Sequence, residues 1–140
     1  MHLKSLTYTS LASLDLDAAD LAAIHSRARD LNALDGISGL LVFNGNRFLQ
    51  IVEGSEQAVD DLVERLRRDR RHTGVEIRDE RKIEKRAFPN WSMELVRVST
   101  DLSEAKDKLT RELPDTVPET VRTRLLTMTE AISGTVDMRR

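Results

Sequence analysis

The chain contains no cysteine, which excludes a disulfide framework, a thiolate metal site and a thiol nucleophile. Aromatic residues are almost as scarce. Tyr8, Phe43, Phe48, Phe88 and Trp91 are the whole set, so the place of each one in the pattern carries weight. No apolar run approaches the roughly 18 residues a membrane span needs, and the opening stretch MHLKSLTY has no signal-peptide core. The expected compartment is the cytoplasm, with no membrane contact. Charge of one sign is not in excess either. With 22 Lys+Arg against 24 Asp+Glu the net charge is −2, and the pI of about 5.9 removes the general electrostatic argument for nucleic acid. His2, His25 and His72 are too scattered to make a metal site, and neither a P-loop, a G-x-G-x-x-G, a G-x-S-x-G nor an H-E-x-x-H occurs. Hydrolase, nucleotide-triphosphatase and metal-dependent readings have no support.

What is there reads as one unit. A chain of 140 residues, 39% apolar and 33% charged, is long enough for one real core, burying about two-thirds of its unfolded surface. Residues 2–9 read as a strand. A helix capped by Asp15 or Asp17 follows, with Leu21, Ile24, Ala28 and Leu31 at helical spacing and a stop before Gly36. Ile37–Phe43 and Arg47–Glu53 read as strands joined by Asn44-Gly45-Asn46, a hairpin signal because Asn and Gly both tolerate positive φ. Gly54-Ser55 ends that pair and caps a helix over Glu56–Arg68. Thr73–Glu80 and Ser92–Val98 read as two further strands, with a basic loop carrying Phe88, Pro89 and Trp91 between them. The order β-α-β-β-α-β-β predicts an α+β, ferredoxin-like fold with two helices on one face of the sheet. The other face needs a cover. Leu102, Ala105, Leu109 and Leu113 form one amphipathic stripe and Val117, Val121, Leu125, Met128 and Ile132 another, divided by Pro114 and Pro118. The expected division is residues 1–98 as the sheet domain and 99–140 as a C-terminal helical extension.

Within this frame Gln50 is the sharpest anomaly. Phe48, Gln50 and Val52 share one face of a strand whose other face carries Leu49 and Ile51, so both faces are apolar and the strand is expected in the centre. An unpaired buried amide costs about 1–3 kcal/mol, so Gln50 needs partners. They can be backbone and water, or a ligand offering both donors and acceptors, because an amide has both ends and exchanges them by rotating about its last bond. Tyr8 reads as a core residue with its hydroxyl bonded at the rim, or as the partner of Gln50 if the first and third strands are neighbours. Asn32, in the last turn of the first helix, is a local cap or a second ligand amide. Trp91 and Met93 alternate by two and are expected on one side of the last strand. The run Arg67-Arg68-Asp69-Arg70-Arg71-His72 is a solvated helix end complementing the dipole, or a phosphate contact.

Together these positions resemble the BLUF family, the blue-light receptors that use a flavin. The resemblance is carried by Tyr8, Asn32, Gly36-Ile37-Ser38-Gly39, Phe48-Leu49-Gln50 with Glu53-Gly54, Asp69-Arg70-Arg71-His72, and Arg86-Ala87-Phe88 with Trp91-Ser92-Met93. The intervals of 42 residues from Tyr8 to Gln50 and 41 from Gln50 to Trp91 fit it, and it covers residues 2–98. It implies a flavin, FAD with FMN as the alternative, held between the two helices. Asn32 would bond the polar edge of the ring and Gln50 would bridge that edge to Tyr8. Asp69, Arg71 and His72 would lie by the ring or its ribityl side, and Ile24, Phe48 and Leu66 would form apolar walls. It further implies light-driven electron and proton transfer between tyrosine and flavin, a rearranged glutamine bond, and a small red shift in absorption. Trp91 and Met93 would compete for the place beside Gln50 and relay its state to the last strand and the tail. Leu31 stands where some relatives carry a polar residue. Such a protein is a photoreceptor rather than an enzyme, signalling through its tail to a homodimer mate or a separate protein. Two flavin-free readings stand beside it: a ferredoxin-like module binding protein or a small ligand, and a weak RNA-binding domain using the 67–72 end. A yellow protein with flavin absorbance separates the first from both.

Overall fold

A computed structural model describes residues 3–12, 16–68, 72–99 and 101–137, with the side chains of residues 31, 32, 72, 131 and 133–137 outside that description. Along the chain run β1 (Leu3–Ala12), α1 (Ala18–Asp35), β2 (Ser38–Phe43), β3 (Arg47–Ser55), α2 (Glu56–Arg68), β4 (His72–Ile83), β5 (Ser92–Arg97), α3 (Leu102–Glu112) and α4 (Glu119–Asp137). The element order is the one the sequence predicts, but β1 and β4 extend by several residues beyond the predicted ends. Both gain length from mutual pairing, Leu11 with Thr73 and Ala12 with His72 at one end and Leu3 with Ile83 at the other. Period-two alternation does not register such pairing in polar stretches.

Local chemistry sets the boundaries. Asp17 caps α1, its Oδ1 accepting from Asp20 N at 2.8 Å, while Asp20 Oδ2 accepts from Asp17 N at 3.2 Å. Asp15 lies outside the described residues. Gly36, at φ +69°, ends the helix in the left-handed region. In the Asn44-Gly45-Asn46 turn that joins β2 to β3 only Gly45 has positive φ. Asn44 contributes differently from the expectation: its Oδ1 accepts from Asn46 N at 3.0 Å and Arg47 N at 2.8 Å, an Asx turn. Ser55 Oγ accepts from Ala58 N at 3.2 Å to cap α2, and Asp101 Oδ1 accepts from Glu104 N at 3.0 Å to cap α3.

The sheet order is β4-β1-β3-β2-β5, antiparallel throughout except that β5 lies parallel to β2. β3 is therefore central, as its two apolar faces required. On one face Leu6, Tyr8, Leu41, Phe48, Val52 and Met93 pack with Leu21 and Ile24 of α1 and Val59 of α2. On the other, Leu40, Val42, Leu49 and Ile51 meet Ala105 and Leu109 of α3 and Leu125 and Ile132 of α4. Burying one such aliphatic side chain contributes about 1.5–3 kcal/mol, so the two tail helices complete the second face of the core. Lys4 ties β1 to α2 and β4 through ion pairs of 2.8 Å to both Asp60 and Glu80. The hydrogen bonds to Asp60 and Glu80 hold the Lys4 ammonium above its ordinary pKa, against the opposing pull of burial.

Candidate functional site

β1 and β3 are neighbours, and Tyr8 pairs directly with Gln50 across the ladder. Side chains opposite one another in an antiparallel pair leave the same face, and here both point toward α1 and α2. The Tyr8 hydroxyl donates to Gln50 Oε1 in a buried bond. Gln50 Nε2 donates to Met93 Sδ at 3.0 Å. Tyr8 is 1% exposed, Gln50 5% and Met93 0%, so the triad is sealed from bulk water.

The expectation that Trp91 and Met93 share a side is corrected. Trp91 packs into the tail-side cluster, its ring 5.6 Å from that of Phe88. Met93 lies in the opposite cluster, beside Tyr8 and Phe48. The alternation fails because β5 carries a bulge: Gly39 of β2 faces Ser92, whereas Leu40 faces Glu94, and Met93 between them has φ +109°. Met93 therefore occupies the place beside Gln50 that both residues were expected to contest.

Of the other predicted site residues, Ile24 and Phe48 are buried in the cleft-side cluster and Leu66 packs against it half-buried. Asn32 lies in the last turns of α1 and His72 opens β4, the side chains of both being outside the described residues. Asp69 and Arg71 are themselves outside the described residues. The basic helix end is solvated where it is described, with Arg67 and Arg68 exposed. Among the described residues no group of three His, Asp or Glu could hold a metal, and no helix is long and apolar enough to cross a membrane.

Two residues were given no role by sequence reasoning, Glu53 standing there only among the positions that carry the resemblance. Glu53 is 1% exposed on the tail-side face and accepts from Ala87 N at 2.6 Å, Phe88 N at 2.9 Å and Ser38 Oγ at 3.1 Å. Arg86 adds bonds from Nη1 to Ser38 Oγ (2.8 Å) and Glu53 O (3.0 Å), and from Nη2 to Gly36 O (2.7 Å). Thr116, between α3 and α4, donates to Ala87 O at 2.8 Å. Glu53 is thus the post to which the β4–β5 loop is fastened. A sequence signal existed, since a lone acid shares its strand face with Leu49 and Ile51. Leaving two backbone amides and a hydroxyl without an acceptor costs about 1–3 kcal/mol per group. Glu53→Ala is therefore expected to lose about 3 kcal/mol or more of unfolding free energy, read as a lower urea midpoint with the m-value unchanged. An unchanged midpoint would mean that the loop is held by its apolar contacts alone. The second of these residues is His25, whose Nε2 lies 2.9 Å from Met93 O.

The chemistry of Gln50 suits a partner with a polar edge. Gln50's described bonds use one end on a phenol and the other on a thioether, a weak acceptor. A second amide hydrogen and a lone pair thus remain for a group carrying both donors and acceptors. Apolar walls stand on α1, β3 and α2. A family model described as sensors of blue light using FAD matches residues 3–94. The chain belongs to the BLUF family. BLUF proteins are blue-light sensors that use a flavin, and this chain is one of them. Its fold superposes on BlrB, a BLUF protein in its dark state, with a TM-score of 0.71 and 32% identity, covering 94% of this chain and 97% of that one. It also matches the BLUF unit of BlrP1 from Klebsiella pneumoniae with a TM-score of 0.78 and 29% identity, covering 93% and 89% respectively. The photoactivated adenylate cyclase subunit beta of Euglena gracilis is 36% identical over 92 residues, 65% of this chain. That stretch is 11% of the cyclase subunit, so the likeness extends to a tenth of that protein.

Proposed function

We infer that Tyr8 and Gln50 are the working parts of this sensor and that FAD is the flavin they serve. The observation that carries this reading is the buried Tyr8–Gln50–Met93 chain of bonds on the face between α1 and α2. When bound, a flavin supplies a ring that absorbs blue light and, once excited, accepts an electron from a nearby phenol. Tyr8 is the chain's one tyrosine, a side chain that pairs an oxidisable ring with a transferable proton. Its hydroxyl proton points at Gln50 Oε1, so proton loss and return at Tyr8 Oη pass along that bond.

Gln50 responds by exchanging its ends. In the resting arrangement Oε1 accepts from Tyr8 and Nε2 donates to Met93 Sδ. Turned by half a revolution about its last bond, the amide sets Oε1 against the thioether, two acceptors with no hydrogen between them. Met93 must then withdraw or reorient. This differential contact is what a two-state element needs to pass its state to β5. From β5 the signal reaches α3 and α4, the extension over residues 99–140 on the sheet domain of residues 1–98, and from there a homodimer mate or a separate protein. Ile24, Phe48 and Leu66 form walls for the ring, Asn32 bonds its polar edge, and Asp69, Arg71 and His72 meet the ring or ribityl side. FAD rests on the family's description; one BlrP1 structure carries FMN, and chromatography of flavin released by heating decides between them.

The test is an absorption spectrum before and after blue light, followed through dark recovery. The wild type is expected to be yellow and to shift reversibly to the red. Tyr8→Phe is expected to keep its flavin and lose the shift, because phenylalanine retains the ring's packing and removes the proton. A colourless protein that takes up no flavin overturns the reading.

A further inference from the structure

The bulge in β5 poses a physical problem. Met93 is an extra residue between two ladder pairs, Gly39 with Ser92 and Leu40 with Glu94. Its φ of +109° is the one positive value at a non-glycine among the described residues. L side chains reach that region only under strain, and such strain persists where surrounding contacts hold it. Two of those contacts act on the side chain. Gln50 Nε2 meets the sulfur at 3.0 Å, and the terminal methyl lies against Gly39, 3.2 Å from where a Cβ there would be. The third acts on the backbone: His25 Nε2 lies 2.9 Å from the Met93 carbonyl, half-buried, joining α1 to β5 across 68 positions of sequence.

We propose that His25 is a positioning residue whose Nε2–H clamps the Met93 carbonyl and so keeps the methionine sulfur on Gln50. The proposal rests on the switch reading above but adds a part to it. A bulge strips a residue of its ladder partners, and a buried carbonyl without a donor is costly. An imidazole on the facing helix supplies that donor. Both the neutral ring with hydrogen on Nε2 and the imidazolium can donate there, so the clamp needs a hydrogen at that atom and not a charge. Since Gln50's turn sets an oxygen against the Met93 sulfur, the firmness of the bulge governs how readily Met93 yields and how fast it returns. His25 belongs to the resting arrangement. Without it, re-forming that arrangement requires the bulge to find its place unaided, and return in the dark slows.

The Met93–Glu94 step is the one Met-Glu pair in the sequence. Full-length protein labelled with carbonyl-13C methionine and 15N glutamate therefore gives a single carbonyl–amide correlation, which reports the Met93 carbonyl. In His25→Leu the carbonyl resonance is expected to move upfield, as for a lost hydrogen bond. Dark recovery is expected to slow by about threefold to tenfold, the range set by one neutral hydrogen bond. His25→Gln, whose amide reaches the same carbonyl, is expected to restore both readings. His25→Ala removes the donor without adding bulk and gives the same readings should the leucine variant not fold. A carbonyl resonance unmoved by loss of the donor overturns the clamp. A resonance that moves with unchanged recovery overturns its role in the switch. Failure of the light reading is distinguishable, since a wild type without photocycle refutes the sensor mechanism while the carbonyl resonance still decides the clamp.

Discussion

Gln50→Ala is expected to abolish the reversible red shift while flavin remains bound. The amide hydrogen-bonds both Tyr8 and Met93. Alanine keeps the strand and its pairing with Tyr8, since backbone ladder bonds do not depend on the side chain. The apolar walls on α1, β3 and α2 stay in place as well, so retention of the ring is expected. What disappears is the group able to present either a donor or an acceptor to the same neighbours. The bond from the Tyr8 hydroxyl to Gln50 Oε1 is lost with it, at a cost of about 0.5–1.5 kcal/mol in stability. The loss of photoresponse should therefore come with a modest fall in melting temperature, not with unfolding. The check is a paired measurement, flavin stoichiometry and light-minus-dark absorption on the same sample. A variant that binds flavin and still shifts reversibly would remove Gln50 from the mechanism.

Much of this site was legible in the chain because its anomalies are chemical. A lone amide in a strand that is apolar on both faces must be central and must be bonded, and Gln50 is both. The β-α-β-β-α order places β1 beside β3, so Tyr8 opposite Gln50 follows from topology once the strands are found. The amphipathic stripes in the tail could be satisfied only by a bare sheet face, and Leu109 and Leu125 lie against one. What escaped is what breaks periodicity. Nothing in Trp91-Ser92-Met93 announces a bulge, because the residue at positive φ is a methionine and not a glycine; alternation then put two side chains on one face that lie on opposite faces. Glu53 and His25 were hidden for a related reason. Each has a short polar side chain whose partner is a backbone group more than thirty positions away, Ala87 N for one and Met93 O for the other, and backbone groups leave no mark in composition.

The largest loss of stability is expected from a change that removes no interaction at all. Gly39→Ala adds one carbon where β2 passes between β3 and β5. Gly39 sits at φ +153°, and a Cβ there would lie 2.0 Å from the Ile51 carbonyl oxygen and 3.0 Å from its carbon. Those are backbone atoms of the central strand, so relief requires parting β2 from β3 and not turning a side chain. Overpacking of a flexible core costs about 1–3 kcal/mol; a clash against ladder backbone exceeds that range, and stability of the whole domain is only about 5–15 kcal/mol. A drop in melting temperature of more than about 10 °C is expected, given a few degrees for each kcal/mol lost in a chain of this length. Gly36→Ala is the control that separates sterics from backbone preference. Gly36 lies at φ +69°, well inside the left-handed region, yet a Cβ there meets nothing within 4 Å. Its cost should be only the 1–2 kcal/mol, or about that, of placing an L residue in that conformation. If the two variants melt together, conformational preference and not the Ile51 carbonyl explains why glycine stands at position 39. If Gly39→Ala alone collapses, the close approach of β2 to β3 beside the Met93 methyl is what the sequence keeps a glycine there to allow.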